Sequence, residues 1–420
     1  MCGVCVAAGV LACAGVARVS VCPQALLALR EKARIFCQKT QPWDRAEARL
    51  QSTAGDSQSA IPFREVVQDM DDYLNPLLTQ LNFSCMRPPA SPFQGSEVTK
   101  SKAEEDEAST AEPGEGLVIL ADRNLLELPL ESLSILQEEG LSFVSRDFSL
   151  QFFYSRLSPD KTQKAESDNK TDTKLSKGAK GKAHQSQGIK ATPVGPVQPS
   201  LAIPVDIQNF HYFVDSEGER CLPLMREVLE THMQPFTHLW GGSRVSETER
   251  VLRRCSAFIY VGRDRFVGII PPKRLAALNL PECRLALLFD HVHKQAAPHS
   301  QSNHDPHKSM QRLALQEPVE TALLLSLSGV SCVVLNQWPC SLQQNALNAA
   351  TVLDELLRVR KSSGQTIQTL RGGVNSAEPH HRNPGWRDTG RLNNSKEDGV
   401  TGTPSAFNCI LYGLPYLTIT

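Results

Sequence analysis

Three apolar runs constrain this chain more than anything else in it: "CSAFIYVG" (255–262), "CRLALLFD" (283–290) and "VSCVVLNQW" (330–338). Each is apolar at successive positions rather than at alternate ones. A strand with one face in water alternates, so uninterrupted runs of this length read as strands covered on both faces. Helix-like stretches separate them, and strand, helix, strand at this pace means crossover connections and a mainly parallel sheet. The expected fold is α/β, a mostly parallel sheet flanked by helices. In such sheets chemistry gathers at the carboxyl ends of the strands, and "CRLALLFD" stops there at Asp290, just before His291 and His293.

The alternation extends in both directions. "LVILAD" (117–122) is a buried strand, and "LPLESLSILQEEG" follows as a helix with Leu130, Leu133 and Leu136 on one face and Gly140 as its stop. A short strand at 141–144, a helical stretch through "SLQFFYSRL", the strand "NFHYFVD" and the helix "LPLMREVLETHM" (Leu222, Met225 and Leu229 on one face) come next. Ser246 and Glu249 form a capping box that starts a helix into "CSAFIYVG". A helix from Glu317 has Pro318 at its first position, Val319, Leu323 and Leu327 facing inward and Gly329 as its stop. Ser341 and Gln344 form another capping box, opening a helix whose inner face is Ala346, Ala350, Leu353 and Leu357 and whose dipole is complemented by Arg358, Arg360 and Lys361. "AFNCILYGLPYLTIT" closes with one apolar strand or two.

Composition sets the domain plan. At 40% hydrophobic the 420 residues fall below the about 45 to 50% of ordinary domains, although that range also counts glycine. One core-bearing domain with disordered insertions fits better than two or three full domains. Residues 1–22 read as an atypical apolar N-terminus, disordered, because no Lys or Arg precedes the apolar run as a secretory signal requires. Residues 23–85 read as a helical segment: in "FREVVQDMDDYLNPLLTQL", Val67, Met70, Leu74, Leu77, Leu78 and Leu81 share a face, with Pro76 a kink. Residues 86–116 are an acidic linker, and 117–420 the α/β domain, with polar insertions at about 160–200 and 364–405.

Lys+Arg of 44 against Asp+Glu of 45 leaves no global field for nucleic acid or an anionic membrane, so an electrostatic partner has to be chosen by a local patch. Twelve cysteines are scattered without zinc-ribbon spacing, and several sit in apolar runs as reduced thiols do, which favours a cytoplasmic setting.

The segments "LVILADRNLLELPLESLSIL", "CSAFIYVG", "CRLALLFD" and "PVETALLLSLSGVSCVVLNQW", in this order, resemble the CHAT domain, a caspase- and separase-like peptidase fold. More closely, they resemble the C-terminal end of the cilia- and flagella-associated protein 46 family, large proteins of the axonemal central apparatus. The resemblance implies a structural or interaction protein of the motile-cilium axoneme, placed in the cytoplasm and cytoskeleton. It implies contact with other central-apparatus proteins and microtubules, a part in assembling a projection and in ciliary movement, and no nucleic acid, membrane or cofactor.

Active members of the wider fold use a His followed by Gly at the end of one strand and a Cys at the end of its neighbour. A thiol attacks only as thiolate, and an adjacent imidazole makes it one. Gly262 matches the glycine, which puts Val261 at the histidine position and Asp290 or His291 at the cysteine position. No side chain at Val261 can accept a proton, so the resemblance implies a degenerate dyad and no enzyme. Two other chemistries are open to the residues. Cys340, just past "VVLNQW", could form a relocated peptidase dyad with His291 or His293. Alternatively, His291 and His293, alternate residues on one face of a strand end, could begin a zinc site with His299, His304 or His307.

Overall fold

The computed structural model describes residues 5–8, 22–39, 61–79, 116–137, 141–157, 202–214, 245–262, 265–290, 317–372 and 404–420. Its strands are β1 (Cys5–Ala8), β2 (Gly116–Leu120), β3 (Phe143–Asp147), β4 (Ile203–Val205), β5 (Phe210–Val214), β6 (Ala257–Val261), β7 (Leu285–Phe289), β8 (Cys332–Asn336), β9 (Cys409–Gly413) and β10 (Leu417–Ile419). Its helices are α1 (Pro23–Lys39), α2 (Phe63–Leu78), α3 (Arg123–Leu126), α4 (Leu150–Leu157), α5 (Val245–Leu252), α6 (Phe266–Ile269), α7 (Pro272–Ala276), α8 (Pro318–Leu327), α9 (Leu342–Leu357) and α10 (Ser363–Gly372). None of the described helices is long and apolar enough to cross a membrane.

The main sheet has the order β1-β2-β3-β9-β8-β7-β6-β5, and β4 pairs with β10 beside it. It is mixed and mostly parallel: β5 to β8 run one way, while β2, β3 and β9 run the other, meeting at the antiparallel pair β8/β9. β6, β7, β8 and β9 are buried at every position, as their uninterrupted apolar runs require. The steps β5 to β6, β6 to β7 and β7 to β8 each move one strand along the sheet in the same direction. Crossovers have a fixed hand, so such steps place their helices on one face, and α5, α6, α7 and α8 do share one core with that face. α9 and α10 cover the other.

α1 and α2 join the first core instead of forming a separate helical segment. The Phe36 and Phe63 rings lie 5.6 Å and 5.8 Å from the Trp338 ring, and Phe63 stacks on Phe407 at 5.9 Å. Arg30 pairs with Glu127, and Asp71 accepts from the backbone N–H and hydroxyl of Ser134. The buried face of α2 is Phe63, Val66, Val67, Met70 and Leu74; Leu77 and Leu78 are half-buried and Pro76 lies within the helix.

Several sequence expectations need correction. Leu130, Leu133 and Leu136 are buried, but on two 3-10 turns rather than one α-helix; their spacing of three is the period of a 3-10 turn. The strand expected at 141–144 runs over Phe143–Asp147. Ser246 lies inside α5, not at its cap, and Glu249 pairs with Arg274 instead. Residues 364–372, expected in a polar insertion, are helical, with Thr366, Ile367 and Arg371 buried against the sheet. Cys5–Ala8, expected to be disordered, pair antiparallel with β2, whose outer edge they satisfy. Past α9, Arg358 pairs with Asp354, Lys361 with Glu355, and Arg360 donates to the Ile419 carbonyl, so these charges meet specific partners rather than the helix dipole. Gly140, Leu81, Leu222–Leu229, 86–115, most of 1–22 and 160–200 lie outside the described residues, as do 373–403.

α8 turns on the expected residues but presents a different face. Pro318 occupies its first turn, and Gly329, at φ +107°, ends it: Val330 N–H donates to the Leu325 carbonyl and Gly329 N–H to that of Ser326. Val319, Ala322 and Leu325 face the core, while Leu323 is half-buried and Leu327 is 61% exposed. Thr321 and Ser326 are buried with Val319, Ala322 and Leu325, so the inner face of the helix mixes small and polar residues with apolar ones.

Where β3 and β9 meet, only Arg146 and Tyr412 are register partners. The Arg371 guanidinium bridges this seam, donating to the Val144 carbonyl at 3.2 Å and the Cys409 carbonyl at 3.1 Å. Arg146, fully buried, forks onto the Glu131 carboxylate and also donates to the Leu126 and Leu128 carbonyls. Burial alone would raise the Glu131 carboxyl, but Arg146 and then Arg371 outweigh it and hold the group below its ordinary range.

Two outcomes follow from this packing. Glu131→Gln leaves Arg146 buried without its counter-charge and is expected to lower unfolding free energy by about 3 kcal/mol in urea at neutral pH. A carboxyl with a lowered folded-state pKa stabilises the fold above its unfolded value and loses that contribution as pH falls through the folded one. The gap between wild type and variant therefore narrows in the acid range. Gly329→Ala meets both the positive φ and the Leu280 backbone carbon 3.2 Å from the new Cβ, so a loss on the order of 1–2 kcal/mol is expected in the same measurement.

Candidate functional site at the carboxyl edge

The ends of β6, β7 and β8 lie side by side, as the sequence reading requires. Val261 is the register partner of Phe289, and Gly262 N–H extends the ladder by one bond to the Phe289 carbonyl at 3.2 Å. Strand alternation then separates the two matched positions. Val261 points with Phe289 into the core beneath α9. Asp290, one residue on, faces the opposite layer: its carboxylate accepts from Phe266 N–H at 2.7 Å and Arg265 Nη1 at 3.0 Å. Asp290 thus holds the first turn of α6, and both of its oxygens are engaged. His291, His293, His299, His304 and His307 lie outside the described residues. Among the described residues no group of three or more His, Cys, Asp or Glu is placed to hold a metal.

Beyond β8 a polar cluster fills the edge. Asn336 Nδ2 donates to Asn345 Oδ1 and, at 3.5 Å, to Cys340 Sγ; Cys340 Sγ donates to Asn345 Oδ1 at 2.7 Å. Cys409 Sγ donates to Asn336 Oδ1 at 3.4 Å, and Asn348 Nδ2 to Cys409 Sγ at 3.8 Å. Asn345 Nδ2, buried, has no hydrogen-bond partner. The Ser341 cap of α9, formed as the sequence predicts, fixes Asn345 one turn into the helix. Burial, reinforced by neighbouring Cys409, pushes the Cys340 thiol far above its ordinary value, and burial pushes Cys409 up to about 12. Both stay protonated at neutral pH. His211, the histidine within the described residues, sits on β5, three strands from β8.

The edge is also roofed. Trp338 N–H donates to Asn408 Oδ1 at 2.8 Å, Asn408 Nδ2 returns a bond to the Trp338 carbonyl, and the Phe36 and Phe63 rings close over the indole. Sequence reasoning singled out Cys340 but missed the amides that surround it, together with Arg265 and the Glu131–Arg146–Arg371 network. The available signal was polar residues inside apolar patterns, such as Arg146 in "FVSRD", or Asn345 and Asn348 on the inner side of α9.

No protein-family model matches the chain. Over 81 residues, 19% of this chain, it is 35% identical to cilia- and flagella-associated protein 46 of Chlamydomonas reinhardtii, and the match takes in 3% of that relative's length. Among solved structures it is similar to a chain in the Saccharomyces cerevisiae separase–securin complex, with a TM-score of 0.41, 13% identity, and coverage of 71% of this chain and 15% of that one. A second structure of that complex gives a TM-score of 0.41, 12% identity, and coverage of 95% and 23%.

The geometry yields a reactivity expectation. Cys340 in the native protein should alkylate with iodoacetamide at neutral pH at least about tenfold more slowly than in urea, accelerating as pH rises, because the thiolate is the reactive form. Peptide mass mapping of Cys340 over time reads the rate.

Proposed function

We propose that this chain is a non-catalytic structural or interaction domain of the cilium or flagellum, acting through surface contacts. The observation that supports the non-catalytic part is the place of Val261, an aliphatic group in the core at the histidine position. At the cysteine position, matched by Asp290 or His291, Asp290 is engaged by Arg265 and the α6 backbone and His291 lies outside the described residues. Carboxylate oxygens occupied in this way activate no thiol, and Val261 has nothing with which to accept a proton. The cilium part is supported by the 35% identity over 81 residues to cilia- and flagella-associated protein 46.

Within that reading, the finer role is a part in building or bracing a projection of the axonemal central apparatus in motile cilia. The partners would be other central-apparatus proteins and microtubules. The competing reading, a cysteine peptidase using Cys340 and His291, requires Cys340 to ionise, which burial and its bond to Asn345 oppose.

Tagged protein expressed in ciliated cells is expected to remain with axonemes after the membrane is removed by detergent. Recovery only in the detergent-soluble fraction would count against the ciliary role. Cleavage of a peptide library by purified protein, lost in Cys340→Ala, would overturn the non-catalytic reading.

A further inference from the structure

A concentration of exposed positive charge lies at the amino edge of the sheet, away from Asp290 and Asn336. Arg250, Arg253 and Arg254 are exposed at the C-terminal end of α5, and Lys273 and Arg274 are exposed on α7. The two helices are tied together by the Arg274–Glu249 pair, in which Arg274 keeps half of its side chain in solvent. Arg284 joins the same rim: its N–H donates to the Ser256 carbonyl at 2.7 Å, which sets it two residues past Arg254 on the neighbouring strand. The acidic groups with described side chains in this rim are Glu249, already paired, and Glu282, exposed beside Cys283. An apolar element abuts it. Leu280 N–H donates to the Ser328 carbonyl at the end of α8, and Leu327, one residue earlier, is 61% exposed.

Positive charge concentrated on one rim of a chain whose charges balance overall creates a local field that recruits an anionic partner. The chemistry of the rim narrows the class. Among the described residues its neighbouring aromatic rings, Phe258 and Phe266, are buried and offer no platform for stacked bases. Its basic side chains are spread over two helices, where they are exposed, and a strand end, where Arg284 is half-buried, which suits a chain of carboxylates better than one small anion. A single projecting leucine offers an anchor for one side chain, not an apolar face broad enough to lie in a lipid interface.

We infer that the α5–α7 rim is a docking surface for an acidic polypeptide segment bearing a large apolar residue. The carboxylates run along Arg253, Arg254, Lys273 and Arg284, and the apolar side chain packs on Leu327. The inference goes beyond the scaffold reading, since it names a surface and the chemistry of what binds there, and it does not depend on the carboxyl edge being inert.

A fluorescein-labelled oligoglutamate peptide with one central leucine, titrated with the full chain and read by anisotropy at several salt concentrations, tests it. Arg253→Glu/Arg254→Glu is expected to weaken binding by about tenfold or more and to flatten the salt dependence. Leu327→Ser is expected to weaken it about threefold with the salt slope unchanged. Arg34→Glu/Arg358→Glu, equal in charge change but placed on α1 and beyond α9, serves as the control and should leave affinity within about twofold. All three variants replace exposed side chains, so unchanged thermal midpoints confirm that each is folded. The inference is overturned if the wild type shows no saturable binding, if the two double variants weaken it equally, or if a short single-stranded oligonucleotide binds the rim as tightly as the peptide does.

Discussion

The sheet is held together across its middle by charge rather than by a continuous ladder. β3 and β9 share a single register pair, and strands that diverge leave carbonyls without partners, which a protein interior does not tolerate. Arg371 reaches in from α10 to take the Val144 and Cys409 carbonyls, while Arg146 takes Leu126, Leu128 and Glu131 from the other layer. One carboxylate, Glu131, faces both guanidinium groups. Two blocks of strands that run in opposite directions thereby become one sheet, and the two hydrophobic layers are fixed in relation to each other.

That seam also explains the character of the carboxyl edge. Because β9 runs antiparallel to β8, its amino end brings Asn408 and Cys409 beside Asn336 and Trp338. The edge then fills with amides and thiols that bond to one another, Asn345 Nδ2 excepted among the described atoms, and α1 and α2 roof it with aromatic rings. Among the described residues, Asn336, Trp338, Asn345 and Cys409 are buried at this edge and Cys340 is half-buried. On the neighbouring strand pair, alternation sends Val261 and Asp290 to opposite layers, each with its own structural task.

How much of this could be read from sequence depends on whether a residue's partner is local. The central strands were legible because burial on both faces writes an uninterrupted apolar run, and the Ser341 cap and the Gly329 stop because each acts within a few residues. The inward face of α8 differs from the expected one because leucines spaced by four look like a core stripe; the buried face is Val319, Thr321, Ala322, Leu325 and Ser326, in which small and polar residues leave no such pattern. Arg371 and Glu131 lie 240 positions apart, and nothing local to either reveals the other. Asp290 was singled out correctly as the end of a strand, yet its bond to the α6 backbone depends on a helix whose four residues carry too little pattern to be seen.

The position of β9 has a bearing on how the molecule comes to exist. It is the ninth strand along the chain but stands between the third and the eighth in space. While the polypeptide emerges from the ribosome, the earlier strands can assemble only as two flanks with exposed inner borders, and such borders invite pairing with other chains. Closure waits for residues 409–413, which follow all of β1 to β8, so completion of this sheet is a long-range event, with the gap open until then.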